Sequence, residues 1–224
     1  MTPKKLALLH TSPVLAPLFA SLCAKWLPEV RFFHLVDESL IKNTIEAGQL
    51  QKTTIRRLIA LVGSGFDAGA DAVLVTCSSI GPAVEIAQTL YDRPVIRVDE
   101  AMAKAAVEQG RRIGVIATLR TTLEPTAALV RRKAQEAGKN AEIVECLCDG
   151  AFEAVMAGDV ATHDRIVGEA LTNKMRGTDA IVLAQASMAR VLETLAPGAL
   201  QAPVYASPEL GVKYTRDILL GPAR

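Results

Sequence analysis

The chain has 224 residues, of which 50% are hydrophobic, 22% charged and 4% aromatic. That apolar share buries a sizeable core, which excludes disorder as the main state, and the length suits one large domain or two small ones. Twenty-five Lys and Arg against 24 Asp and Glu leave a formal charge of +1, without the basic excess of a nucleic-acid or membrane-surface binder, and so few aromatics give no platform for stacked bases.

In chain order, Lys4 and Lys5 precede an uncharged run from Leu6 to Ala24, the outline of a secretory signal. His10, Thr11, Ser12, Pro13 and Pro17 interrupt the run, and its opening recurs later, so it reads as a strand and helix of the folded protein. The same breaks argue against a membrane span. Four cysteines without a compact disulfide framework point to free thiols in a reducing, cytoplasmic setting.

Apolar strand-like runs follow at Leu6–Leu9, Val30–Leu35, Ala72–Val75, Val95–Val98, Ile113–Ala117, Glu142–Cys146, Ala180–Leu183 and Val204–Ala206. Helical patterns lie between them at Leu15–Trp26, Gln51–Gly63, Ala83–Leu90, Ala101–Gln109, Thr122–Ala137, His163–Met175 and Ala189–Leu195. Short apolar runs alternating with longer helical ones predict an α/β fold built on parallel sheets.

An internal repeat refines this. Asp71 to Ser79 matches Asp179 to Ser187 at an offset of 108, Lys4 to Thr11 matches Arg111 to Thr118 at 107, and Arg93-Pro94-Val95 matches Ala202-Pro203-Val204 at 109. Three blocks in one order at a near-constant offset predict two pseudo-symmetric, flavodoxin-like α/β halves. The expected boundaries are 1–99 plus 201–224 for the first and 100–200 for the second, with the site in a cleft between them. Ligands of open parallel sheets bind beyond the carboxyl ends of the strands. Those ends carry His10-Thr11-Ser12, Cys77-Ser78-Ser79, Thr118 to Thr122 and Gln185-Ala186-Ser187, hydrogen-bonding groups suited to a small anion.

Cys77 is the sharpest candidate. It closes a strand and Pro82 follows, the mark of a helix start, where free N–H groups lower a thiol pKa; the competing reading is an inert buried cysteine. Cys23 reads as core. Cys146 and Cys148 form a C-x-C pair with no second metal-binding pair, so a structural role is preferred. His10, His34 and His163 lack metal-ligand spacing; His10 either donates to a ligand carboxylate or caps its turn. Gly63-x-Gly65-x-x-Ala68 follows a helix and precedes a strand, the wrong order for a dinucleotide fingerprint, and neither a phosphate-binding loop nor a G-x-S-x-G elbow occurs. No cofactor and no metal are expected. Arg56-Arg57, Arg111-Arg112 and Arg131-Arg132 read as a solvated face.

Thr76-Cys77-Ser78-Ser79 after an apolar strand, the duplicated halves, and the stretch from Arg112 to Thr118 resemble the aspartate/glutamate/hydantoin racemase superfamily over nearly the whole chain. It includes cofactor-independent amino-acid and hydantoin racemases, maleate isomerases and arylmalonate decarboxylases. The resemblance implies an isomerase in which a cysteine from each half flanks the substrate α-carbon, one thiolate removing the proton and the opposite thiol returning it. Cys77 matches the first cysteine; Gln185 stands where the second is expected and cannot act as acid or base near neutral pH. The expected roles are therefore catalytic for Cys77 and Gln185, and substrate-binding for His10, Thr11, Ser78, Ser79, Thr118, Thr121, Thr122, Ala186 and Ser187. The expected partner is a small carboxylate or carbonyl compound, with no nucleic acid and no membrane; an apolar composition with surface left to bury suggests a homo-oligomer. A single-cysteine decarboxylase, lyase or hydrolase is the alternative, and a non-catalytic small-molecule binder the reading from a different class.

Overall fold

The computed structural model describes residues 3–196 and 198–222. The first unit runs to Glu100 and resumes at Pro208; the second spans Ala101–Ser207. Each contains one four-stranded, all-parallel sheet. In the first, strands β1 (Lys5–His10), β2 (Arg31–Val36), β3 (Ala72–Val75) and β4 (Val95–Arg97) lie in the order β2-β1-β3-β4. In the second, β5 (Arg112–Ala117), β6 (Glu142–Leu147), β7 (Ala180–Leu183) and β8 (Val204–Ala206) lie in the matching order β6-β5-β7-β8. The registers also match: Leu6 pairs with Ala72 as Ile113 pairs with Ala180, and Leu6 pairs with Phe32 as Ile113 pairs with Ile143.

The inner strands are apolar over most of their length because both faces are covered by helices. Leu6, Leu8, Ala72 and Leu74 pack on one side with Phe19, Cys23 and Val212; Ala7, Leu9, Val73 and Val75 pack on the other with Leu58, Val62 and Phe66. Each fully buried leucine of this kind contributes about 1.5–3 kcal/mol. The helices of the first unit are α1 (Ala16–Trp26), α2 (Ser39–Glu46), α3 (Lys52–Asp67), α4 (Gly81–Gln88) and α9 (Ser207–Leu220), the last crossing back from the second unit's final residue. Helix α5 (Glu100–Gln109) opens the second unit, followed by α6 (Arg120–Glu136), α7 (Ala151–Met156) and α8 (Val160–Glu169). Gly65 lies inside α3, where a Cβ would come within 3.2 Å of Ala7 Cβ and 3.3 Å of Val73 Cγ2, so this glycine serves close packing of helix on sheet.

Three helices escape the apolar pattern. Helix α2 is short, with only Leu40 and Thr44 buried, and just before it the Asp37 Oδ1 accepts from the Ser39 N–H at 3.0 Å. Helix α7 has six residues, and α9 begins directly after β8. The residues 201–207, expected with the first half, belong to the second unit because β8 pairs with β7, Leu183 facing Ala206. The α-helix expected over Ala189–Leu195 is instead a run of 3-10 turns over Ala186–Thr194. Met188, Val191 and Thr194 repeat every three residues, a spacing that three-residue turns align on one side, and the first two are buried there. The helical pattern expected through Met175 changes at Ala170 into a wide, five-residue turn ending at Lys174. No helix of the described residues is long and apolar enough to cross a membrane.

Candidate active site

Strand β3 ends at Val75, and Cys77 follows in extended conformation (φ −129°, ψ 115°) before a 3-10 turn, Ser78–Ile80, that leads into α4. Pro82 sits in the first turn of that helix. The Cys77 sulfur receives the hydroxyls of Thr11 and Ser79 and the N–H groups of Ser79 and Ile80. Thr11 comes from the carboxyl end of β1, brought beside β3 by parallel pairing. The turn was expected to lower the thiol pKa; the net direction is upward. The side chain keeps a partly exposed surface, but burial pushes the thiol up and outweighs the four donors, which pull it down.

The second unit repeats this backbone. Gln185 follows β7 in the same conformation (φ −131°, ψ 138°) ahead of the 3-10 run. The preceding N–H groups bond across to the central strand alike, Thr76 to Leu9 O and Ala184 to Ile116 O, both at 3.0 Å. Gln185 Oε1 accepts from the Thr118 N–H at 2.6 Å and from the Thr118 hydroxyl at 2.9 Å. A backbone N–H can only donate, so the carbonyl must face Thr118 and the amide NH2 points away from it. Thr118 thus stands to Gln185 as Thr11 stands to Cys77.

The remaining predicted residues separate into groups. Thr11, Ser78 and Ser79 are buried around Cys77. Thr118 and Thr122 are buried at the end of β5 and in the first turn of α6, and the Thr122 N–H bonds Leu119 O at 3.0 Å. Thr121, in the same first turn, carries a buried hydroxyl without a hydrogen-bond partner. Ala186 is half-buried and Ser187 exposed. His10 is fully buried and engaged at both ring nitrogens, Nδ1 with Thr76 Oγ1 and Nε2 with His34 Nδ1, each at 2.8 Å. Its expected role as a donor to a ligand gives way to a structural one. Thr76 Oγ1 also donates to Leu9 O, so it accepts from the His10 Nδ1–H, and His10 Nε2 accepts from the His34 Nδ1–H. Burial, with the neighbouring His34, lowers the His10 pKa to about 4. Among the described residues no three His, Cys, Asp or Glu side chains group to hold a metal.

Residues 11–215 match the sequence signature of the Asp/Glu/hydantoin racemase family. The chain belongs to that family. Membership makes it a racemase-type enzyme of the isomerase class that acts on a small molecule. The fold agrees with solved racemase structures. Glutamate racemase from Francisella tularensis, crystallised with D-glutamate, has 16% identity and a TM-score of 0.74 over 98% of this chain and 82% of its own. Aspartate racemase from Picrophilus torridus has 14% identity and a TM-score of 0.70, covering 96% and 94%. Allantoin racemase from Pseudomonas fluorescens has 16% identity and a TM-score of 0.64, covering 98% and 92%. Among curated proteins no sequence matches significantly.

In this racemase-family chain, one feature of the Cys77 turn escaped the sequence reading. Arg97, at the end of β4, is 1% exposed and grips Asp99 with both arms of its guanidinium, Nε to Oδ1 at 3.0 Å and an NH2 group to Oδ2 at 2.9 Å; Glu85 of α4 pairs with the remaining arm. The guanidinium lies so close under Gly81 that a Cβ there would come within 2.3 Å of it. Gly81 directly follows the Cys77–Ile80 turn, so the ion pair sets where that turn enters α4. The only trace in sequence is an Arg-x-Asp spacing at the end of an apolar strand.

Proposed function

We propose that the protein transfers a proton at the carbon next to a carboxylate or carbonyl group of a small molecule, and that Cys77 is the group that carries it. The observation behind this reading is the Cys77 sulfur at a strand's carboxyl end, ringed by the donors of Thr11, Ser79 and Ile80. Burial keeps the resting thiol protonated, while the donors are already oriented to accept the negative charge when the proton leaves. The same sulfur can then return a proton to the carbanion or enolate. Ser78 is the proposed holder of the substrate's oxygen on this turn.

Gln185 has no proton to exchange near neutral pH, and its carbonyl is already committed to Thr118. Its amide NH2, which points away from Thr118, is the proposed donor to a carboxylate or carbonyl oxygen. The proposed role is orientation. With a single thiol, exchange occurs from one side of the carbon, so products are stereochemically biased. The upward-shifted thiol also favours a second reading, in which loss of carbon dioxide generates the enolate and Cys77 protonates it. Proton NMR in deuterated water with amino acids, hydantoins, malonates and maleate separates the readings. Exchange of the α-proton without rapid inversion supports the first, and deuterated monoacid from a malonate supports the second. Equal racemisation from both enantiomers overturns the one-sided mechanism, and no reaction with any compound in the panel overturns the proposed substrate class.

A further inference from the structure

We propose that Arg190 is a positioning residue, whose ion pair with Asp164 anchors the 3-10 run Ala186–Thr194 and so sets where Gln185 points its amide. The proposal deepens, and rests on, the reading of Gln185 as the group that orients the substrate. The run starts directly after Gln185, and the Met188 N–H reaches back to Gln185 O at 3.2 Å, so the two move together. Runs of three-residue turns longer than about four residues are uncommon, because their hydrogen bonds are poorly aligned. A run of 9 residues built this way depends on what it leans against.

It leans on α8. Val191 and Leu195 lie over Gly168, where a Cβ would stand 3.9 Å from Val191 Cγ1 and 3.6 Å from Leu195 Cδ2. Apolar contacts of this kind are non-directional and do not by themselves fix one placement. The polar contact is directional. An NH2 group of Arg190 donates to Asp164 Oδ1 at 2.9 Å, and His163 Nδ1 meets the same oxygen at 2.7 Å. A carboxylate only accepts, so His163 donates through its Nδ1–H. The same Arg190 NH2 stands 3.3 Å from that Nδ1, donor facing donor, and Asp164 takes both. His163 is fully buried, so its ring is held by packing and keeps the carboxylate in place for Arg190.

His163 Nε2 and Arg190 Nε are buried without hydrogen-bond partners among the described residues. Apolar side chains would serve packing alone without that cost in stability. What the polar cluster adds is direction. Thr118 fixes the oxygen end of the Gln185 amide through its N–H and its hydroxyl. The backbone end of the side chain is set by the run, and the two ends together determine where the NH2 group points. The first unit has the same device made from different parts: Glu85 of α4, the helix behind the Cys77 turn, pairs with Arg97 of β4. In the second unit the arginine rides on the run itself and the carboxylate comes from α8.

The test uses the full-length, isotopically labelled chain without substrate, observed by nitrogen–proton NMR. The side-chain NH2 signals of Gln185 are identified by their loss in Gln185→Ala. In Arg190→Met, checked for folding by circular dichroism, they are expected to shift or broaden. Asp164→Asn should do the same, and it carries the test if Arg190→Met does not fold. Arg190→Lys should keep the parent signals, because one arm makes the bond and an ammonium can replace it. Unchanged Gln185 signals in Arg190→Met or Asp164→Asn would overturn the proposal, and so would Arg190→Lys signals displaced as far as those of Arg190→Met. A double-mutant cycle on α-proton exchange reads the same link in function. Arg190→Met should cost no more than Gln185→Ala, about ten-fold at most, and nothing further in the Gln185→Ala background. Losses that multiply would mean a general structural role and overturn the proposal. Full exchange in Gln185→Ala would instead remove the orienting role of Gln185, and the amide signals would then decide the positioning role alone.

Discussion

At the end of β3 the chain sets Cys77 at φ −129°, ψ 115°; at the end of β7 it sets Gln185 at φ −131°, ψ 138°. In both places a threonine from the neighbouring central strand donates to the side chain. The opposite ends of the two sheets agree as closely: Asp71 bonds the Lys5 N–H at 2.8 Å while its own N–H reaches Lys5 O at 2.7 Å, and Asp179 does the same with Arg112 at 2.8 and 2.6 Å. Differences stand at the carboxyl ends. At the repeat offsets, His10 stands opposite Ala117, Cys77 opposite Gln185, Arg97 opposite Ala206 and Asp99 opposite Pro208. The frame recurs because it is dictated by strand pairing and backbone hydrogen bonds. At these matched positions the ionisable groups fall in the first unit.

The largest effect should come from testing that inequality directly. Cys77→Ala is expected to lower the rate of α-proton exchange by about 10²–10⁴-fold, the ordinary cost of an acid/base group. Gln185→Ala removes hydrogen bonds only, worth about 0.5–1.5 kcal/mol each, and should cost roughly ten-fold or less. NMR exchange rates for both variants settle the matter. Equal losses would place the halves on the same chemical footing.

Arg97 offers a second contrast, in stability. Arg97→Met leaves Asp99 buried without its cation, which should cost about 3–5 kcal/mol in urea unfolding. Hydrogen exchange should show the loss in the first unit, because the matching position of the second holds only alanine. A variant as stable as the parent would mean that Asp99 takes up a proton or finds water instead.

His10 provides a third, through pH. Its pKa falls from an unfolded value of 6.5 to about 4 in the fold, so between these values the unfolded chain binds the extra proton. Stability is full above pH 6.5 and is lost as the pH falls towards 4, by on the order of 3 kcal/mol. The second unit, with Ala117 at the equivalent site, lacks this contribution. Urea titrations of the parent and of His10→Gln at pH 7 and pH 4.5 should show a shallower acid loss in the variant; parallel curves would remove His10 as the cause.

The eight strands were legible as short runs rich in apolar residues, the inner ones buried on both faces, and Ala72–Val75 and Ala180–Leu183 coincide with the strands residue for residue. Helix α2 was hidden because it is only eight residues long and buries just Leu40 and Thr44, too short a stripe to read as a helix. The change of turn type at Ala186 was hidden because Met188 and Val191 suit a three-residue turn as well as an α-helix. The strand-end rule put Cys77, Gln185, Thr11 and Thr118 at carboxyl ends of the sheets, where the structure has them. It could not tell that His10 is occupied on both nitrogens, since Thr76 and His34 reach it through strand pairing rather than sequence proximity. The sign of the Cys77 shift was likewise illegible: the donors belong to the local turn, whereas burial depends on everything packed around it.

The smallest effects are the most discriminating, because one substitution can be made in both halves. Thr11→Val and Thr118→Val each exchange a hydroxyl for a methyl at equivalent positions. In the second unit the Thr118 N–H still holds Gln185 Oε1 at 2.6 Å, so the loss is one hydroxyl bond, about 0.5–1.5 kcal/mol, with no change in any titration. In the first unit the hydroxyl donates to the Cys77 sulfur and favours its thiolate. Its removal should raise a thiol that burial already holds above its ordinary value, so alkylation of Cys77 begins at higher pH. Iodoacetamide rates across pH, read by mass spectrometry on the Cys77 peptide, measure this. An upward shift for Thr11→Val with none for Thr118→Val is the expected pattern. If neither moves the profile, the Thr11 hydroxyl does not act on the sulfur, and burial with the Ser79 and Ile80 donors alone sets its reactivity.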